Sequence, residues 1–128
     1  MGSLASLVIL AHVLVPQSWA LYALRIKHMS NEQKALQDIR NAVGTEVGEY
    51  SVDEFISHHL DELPSSYWKA KTGVEVPEIH QIIDLLILRN KWDDEDVYDF
   101  TLPDDVTDYV ISVKYDDSGE LEDIDMES

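Results

Sequence analysis

The chain has 128 residues, with 26 Asp+Glu against 9 Lys+Arg for a formal charge of -17, and it contains no cysteine. That balance disfavours nucleic acid and anionic lipid, whose phosphates would meet a like-signed field, and favours cationic partners. The lack of cysteine excludes a disulfide framework, a thiolate zinc site and a thiol nucleophile, while an apolar fraction of 45% is enough for one packed core.

The first 28 residues differ from the rest. They hold no acid, and Leu4 to Leu24 is uncharged ahead of Arg25 and Lys27. A run of that length matches the span of about 20 residues that crosses a bilayer, and the two cations behind it would keep the acidic part on the cytoplasmic side. A cleaved export signal competes: Ser18-Trp19-Ala20 offers small residues at the cleavage positions and Pro16 ends the apolar run, although no basic residue precedes it. Gly2 and Ser6 also match the two specified positions of a myristoylation pattern. The third reading is a non-native extension ahead of a folded unit that begins at Met29. On every reading residues 1–28 form an apolar leader and residues 29–128 a single acidic domain, so the membrane is a partner only if the leader is a native anchor.

Within the domain, Ser30-Asn31-Glu32-Gln33 has capping-box spacing, in which the Ser and Gln side chains each satisfy a free backbone N–H. A helix is predicted from there, with Ala35, Leu36, Ile39, Ala42 and Val43 on one face and Gly44 as its stop. Ser51-Val52-Asp53-Glu54 repeats the box, and Tyr50 with Phe55 takes the positions of a hydrophobic staple. The predicted second helix carries a stripe of Val52, Phe55, Ile56, His59, Leu60 and Leu63, closed by Pro64. Pro77 opens a third predicted helix, with Arg89 and Lys91 complementing the dipole at its far end. Ile79, Ile82, Ile83, Leu85, Leu86, Ile87 and Leu88 cover most of its circumference, which places it at the centre of the core.

After Asn90 the pattern alternates. Tyr98, Phe100 and Leu102 share one face of a first predicted strand, with Asp99 and Thr101 on the other, and Pro103-Asp104-Asp105 makes the turn. Tyr109, Ile111, Val113 and Tyr115 form the inward face of a second strand, and Asp116-Asp117-Ser118-Gly119 reads as a hairpin loop. In the third strand Leu121 is out of step with Ile124 and Met126, so a β-bulge is expected near Glu122-Asp123. The expected fold class is α+β, with three N-terminal helices packed on one face of a C-terminal three-stranded antiparallel sheet whose other face lies in water.

The string Phe100-Thr101-Leu102-Pro103, the strand Tyr109-Val110-Ile111-Ser112-Val113, Gly119 and the ending Asp125-Met126-Glu127-Ser128 together resemble a bacterial family of short acidic proteins classed as a domain of unknown function. The likeness covers about Met29 to the C-terminus, is strongest in the hairpin residues and leaves out the leader. It implies an α+β fold and a bacterial cytoplasmic origin, and it brings no activity, cofactor or site residue with it.

The acids are uneven. Residues 93–128 hold 15 acids and the single cation Lys114, whereas residues 29–92 hold 11 acids and six cations. Asp93, Asp94, Glu95 and Asp96, with Asp99, Asp108 and Asp125, are therefore the candidate surface for a basic partner. The plain alternative is a solvated surface that keeps strand edges from pairing. An EF-hand register on Gly119 fails, because it puts Lys114 where a carboxylate ligand is needed; Asp116, Asp117, Glu120 and Glu122 are left as an irregular divalent site. His58 with Glu62, and His80 with Asp84, are i,i+4 pairs on separate helices that would share a metal if those faces meet. His59, on the apolar stripe, reads as a core histidine bonded to backbone or to a tyrosine. Tyr67, Trp68, Lys69 and Lys71 form either a contact patch, for an acidic or aromatic ligand or the negative pole of a second copy, or a short helix that buries its aromatics.

The functional expectation is a non-catalytic cytoplasmic binding protein, of inhibitor or immunity type, that engages a basic protein through its acidic sheet end and needs no cofactor. The alternatives are a small metal-dependent enzyme built on His58, Glu62, His80 and Asp84, and a membrane-tethered adaptor.

Overall fold

The computed structural model describes residues 30–128 apart from Asp93, so every expectation for the leader, including Gly2, Ser6 and the Leu4–Leu24 span, lies outside the described residues. The chain divides into two units, Met1–Lys34 and Ala35–Ser128. Four helices precede four strands: α1 (Asn31–Ala42), α2 (Val52–Glu62), α3 (Ser65–Thr72), α4 (Ile79–Leu85), β1 (Ile87–Trp92), β2 (Val97–Thr101), β3 (Val110–Tyr115) and β4 (Leu121–Glu127). The strands form one antiparallel sheet in the order β1-β2-β3-β4. The fold is therefore α+β, but with four helices and four strands among the described residues rather than three and three.

The extra strand comes out of the predicted third helix. Seven apolar residues between Ile79 and Leu88 suit a helix that is buried all round, yet a short continuous apolar run is equally compatible with a buried strand. Here the helix stops at Leu85, Leu86 turns to ψ 134° and Ile87 enters β1. Arg89 and Lys91 are thus residues of an edge strand: the Arg89 guanidinium donates to the Asp108 carbonyl and the Lys91 ammonium lies 5.5 Å from the Tyr98 ring centre. α4 keeps Ile82 and Ile83 in the core, and the Glu78 N–H donates to the Gln81 side chain at its start.

The Ser30 box forms as read: the Gln33 N–H donates to Ser30 Oγ and the Ser30 N–H to Gln33 Oε1, each at 3.1 Å. The Ser51 box does not. Ser51 Oγ donates instead to the Val47 carbonyl at 2.8 Å, and Asp53 turns back to accept the Gly44 N–H. Tyr50, 77% exposed, does not staple to the buried Phe55. The segment before α2 is tightly wound, and a Cβ on Gly48 would stand 2.1 Å from the Ala42 carbonyl oxygen.

Ala35, Ile39, Val52, Phe55, Ile56, Trp68, Ile82 and Ile83 from the helices close on Tyr98, Phe100, Ile111, Val113, Tyr115 and Ile124 from the inner face of the sheet. Each large apolar side chain so enclosed contributes about 1.5–3 kcal/mol relative to exposure. The Tyr115 hydroxyl donates to Asp38 on α1 at 2.5 Å. Burial and this carboxylate both push its pKa up. Two bulges set the edges. Arg89 is the unpaired residue in β1, and Glu122 in β4 falls where the out-of-step pattern places it.

Candidate functional site

β-strand alternation sends Val97, Asp99 and Thr101 of β2, and Val110, Ser112 and Lys114 of β3, to the face opposite the core. Cross-strand register lines them up in rows: Trp92, Val97, Lys114 and Asp123 in one, and Asn90, Asp99, Ser112 and Asp125 in the next. Around these rows lies an open trough of about 700 Å³, lined by Lys91, Trp92, Asp94, Glu95, Val97, Asp99, Ser112, Lys114, Asp123, Asp125 and Glu127. Its lining carries six carboxylates against two lysines. Such a concave surface focuses its own field and attracts cations.

The outer face is not the watery surface that alternation implies. Asp99 is 7% exposed and Thr101 6%. Thr101 is satisfied by donating its hydroxyl to the Tyr109 carbonyl at 2.8 Å. Asp99 is satisfied on one side only: its Oδ2 accepts the Trp92 indole N–H at 3.0 Å, while its Oδ1, sealed from solvent by its neighbours, has no hydrogen-bond partner. Leaving a buried acceptor unpaired costs about 1–3 kcal/mol, and more if it is charged.

On β4, a hydrogen bond with Asp123 raises the pKa of Asp125, helped by partial burial and the charges of Asp123 and Glu127, with Lys114 pulling the other way. Beyond the same strand apolar side chains stand among further acids, Glu46 and Glu122. Val47, Tyr50 and Leu121 line a second depression of about 300 Å³ that shares Asp123 and Asp125 with the trough.

The trough thus gathers Asp94, Glu95, Asp99 and Asp125 from the expected partner surface. Asp93 lies outside the described residues. Asp96 belongs to the β1–β2 turn at φ 52°, a conformation Asp tolerates better than most residues, and its carbonyl accepts the Tyr115 N–H. Asp108 lies in the β2–β3 loop and does not line the trough. Asp123 and Glu127 were absent from the expected surface, although their alternation with Asp125 after the bulge carried the signal.

The other candidates disperse. His80 pairs with Glu78 at 3.3 Å, Asp84 with Arg40 at 3.1 Å, and the His58 ring packs edge-on against Tyr109. Among the described residues, no group of three or more His, Asp and Glu side chains is placed to hold a metal ion. The Asp116 carboxylate is used within its own turn, accepting from Ser118 Oγ, the Ser118 N–H and the Glu120 N–H, and the Ser118 hydroxyl leads in lowering its pKa. Tyr67, Trp68, Lys69 and Lys71 lie on α3. Trp68 is buried, the Tyr67 hydroxyl donates to the Pro103 carbonyl, Lys71 pairs with Asp104 and Lys69 is exposed, so the segment is the short helix that turns its aromatics inward. Burial, reinforced by Asp104, pushes the Tyr67 pKa up to about 12.

No protein-family model, curated protein or solved structure matches the chain. Its chemistry must be read from its own residues.

Away from the trough, His59 is the one fully enclosed histidine among the described residues. Its Nδ1 lies 2.6 Å from the Phe55 carbonyl, which can only accept, so Nδ1 carries the proton and Nε2 accepts from the Thr107 hydroxyl at 2.8 Å. Burial lowers its pKa below 6.5, more than the Phe55 bond raises it. Among the described residues no helix is long and apolar enough to cross a membrane.

Proposed function

We propose that this protein is a non-catalytic binding protein, acting in the cytoplasm, whose outer sheet face engages a basic protein partner in the manner of an inhibitor or immunity-type protein. The observation that carries the reading is the concave outer face, where five carboxylates and two lysines surround a floor on which a sixth, Asp99, holds an unpaired buried oxygen. Unlike charges strewn over a convex surface, these share one concavity and act on one guest. The adjoining Val47, Tyr50 and Leu121 supply the apolar and aromatic area that a protein contact uses and a bare ion does not.

The test compares the full chain with a variant carrying Asp123→Asn, Asp125→Asn and Glu127→Gln, each immobilised and offered a panel of purified basic proteins at low and high salt. The native chain is expected to retain one member of the panel at low salt and lose it as screening shortens to about 10 Å near 0.1 M, and the variant is expected to retain none. Equal retention by both chains would sink the reading.

A further inference from the structure

The trough has a built anchor point. Asp99 sits at its floor, more than nine-tenths buried, with Oδ2 fixed by the Trp92 indole N–H and Oδ1 unpartnered. Trp92 is 53% exposed and stands in register beside Val97, so the residue that orients the carboxylate also offers open aromatic surface to whatever reaches it. A carboxylate acceptor next to an exposed indole is complementary to a planar, weakly hydrated cation that stacks and donates at once. Of the cationic groups in proteins, arginine has that form. The ammonium of lysine is a compact, strongly hydrated charge that gains less from stacking and loses more on entering a site that is mostly closed to water.

A divalent metal fits poorly. Asp99 and Asp125 share a row with Ser112 between them, which separates their Cα positions by two strand spacings, about 9–10 Å, and no third ligand closes the gap. A flexible polyamine would satisfy the wall charges but would leave the apolar lip at Val47, Tyr50 and Leu121 unused. A polypeptide carrying an arginine uses both.

We infer that the trough recognises one arginine side chain of the basic partner, the side chains that cover Asp99 moving aside as its guanidinium bonds to Oδ1 and stacks on Trp92, with Asp94, Glu95, Asp123, Asp125 and Glu127 supplying the attracting field. The inference rests on the basic-partner reading and narrows it to one residue type and one contact.

The experiment titrates the full chain with the blocked tripeptide Gly-Arg-Gly, its lysine and citrulline counterparts, and spermidine, by calorimetry at fixed low salt. It also follows the Trp92 indole N–H resonance in protein labelled with 15N-tryptophan. The arginine peptide is expected to bind at least fivefold more tightly than the lysine peptide, to move the Trp92 indole resonance and to lose tenfold or more in affinity in Asp99→Asn. Citrulline, which keeps the shape and loses the charge, is expected not to bind. Trp92→Leu, at a half-exposed position outside the core, is the second variant, and a fivefold or greater loss of arginine preference is expected from it even if Asp99→Asn proves unstable.

Equal binding of arginine, lysine and spermidine, undisturbed by Asp99→Asn or Trp92→Leu but abolished by Asp123→Asn with Asp125→Asn, overturns the arginine anchor and leaves the basic-partner reading standing. Failure of every cationic probe to bind overturns both.

Discussion

The two faces of the sheet are almost equally closed to solvent in their central strands, yet they are closed by different means. On the inner face Tyr98, Phe100, Ile111 and Val113 lie against Phe55, Ile56, Ile82 and Ile83 in one apolar cluster. On the outer face Val97, Asp99, Thr101, Val110 and Ser112 reach similar burial, but Val97 and Val110 are not part of that cluster, and the side chains around the trough that Val97, Asp99 and Ser112 floor are mostly charged. Low accessibility alone therefore does not mark a core. Inside, burial reflects dispersion and the loss of apolar surface to water; outside, it comes from a fence of carboxylates and lysines with a tryptophan among them. The first arrangement stabilises the fold even though it leaves the Trp68 indole N–H unpaired, whereas the second leaves a carboxylate oxygen unpaired at the floor of a concavity lined with charge.

The sharpest way to break this contrast is to put a charge inside. Ile83→Asp places a carboxylate in the closed cluster with no partner, and the chain is expected to lose its cooperative thermal transition altogether. A circular dichroism melt that stays cooperative would show the inner layer to be more permissive than its packing implies. Truncation comes next. Phe100→Ala, on the inner face of β2, is expected to cost about 3–5 kcal/mol in denaturant unfolding, whereas Val97→Ala, on the same strand but facing the trough, is expected to cost about 1 kcal/mol. Equal costs would mean the two faces contribute alike.

Titration sharpens the contrast further, because the two sides respond to pH with opposite sign. His59 is held below its ordinary 6.5 by burial, so its unfolded form takes up the proton first. Its contribution to stability is complete above pH 6.5 and is lost as pH falls through the depressed value. Denaturant unfolding at several pH values is expected to show a decline below 6.5 in the native chain and a flatter profile in His59→Gln. Asp125, raised above 3.8 chiefly by its bond with Asp123, behaves in reverse: its contribution is present below that value and is lost as pH rises through the raised one. Asp125→Asn is therefore expected to increase stability at neutral pH slightly, by about 0.5 kcal/mol or less, and to leave the acid end of the profile unchanged. A loss at neutral pH would show that the acidic row supports the fold rather than burdening it.

Much of the inner face was legible because it obeys simple periods. The Ser30–Gln33 box, the stripe from Val52 to Leu63, the alternation through Phe100 and Ile111 and the bulge at Glu122 each express one local rule with no competitor. The Ile79–Leu88 stretch was not legible, since a run apolar on every side satisfies helix and strand alike and only the pairing of β1 with β2 decides between them. That error hid the site. With Trp92 taken to lie just past the end of a helix, nothing in the sequence placed its indole over β2, so Asp99 read as one acid of the partner surface and not as its buried floor. The acidity of the sheet end was plain, but which acids share a cavity depended on register, which brought in Asp123 and Glu127 and left out Asp108.

The differing settings of Trp68 and Trp92 give the molecule two optical reporters of separate events. Trp68, sealed in the interior, should emit towards the blue and redden only when the domain melts, whereas Trp92, half open beside a carboxylate, should emit towards the red and change when a guest occupies the outer face. With Trp19 replaced by phenylalanine, the only other indole in the chain is silenced. One emission spectrum would then record folding and occupancy as two resolvable bands, without any added dye.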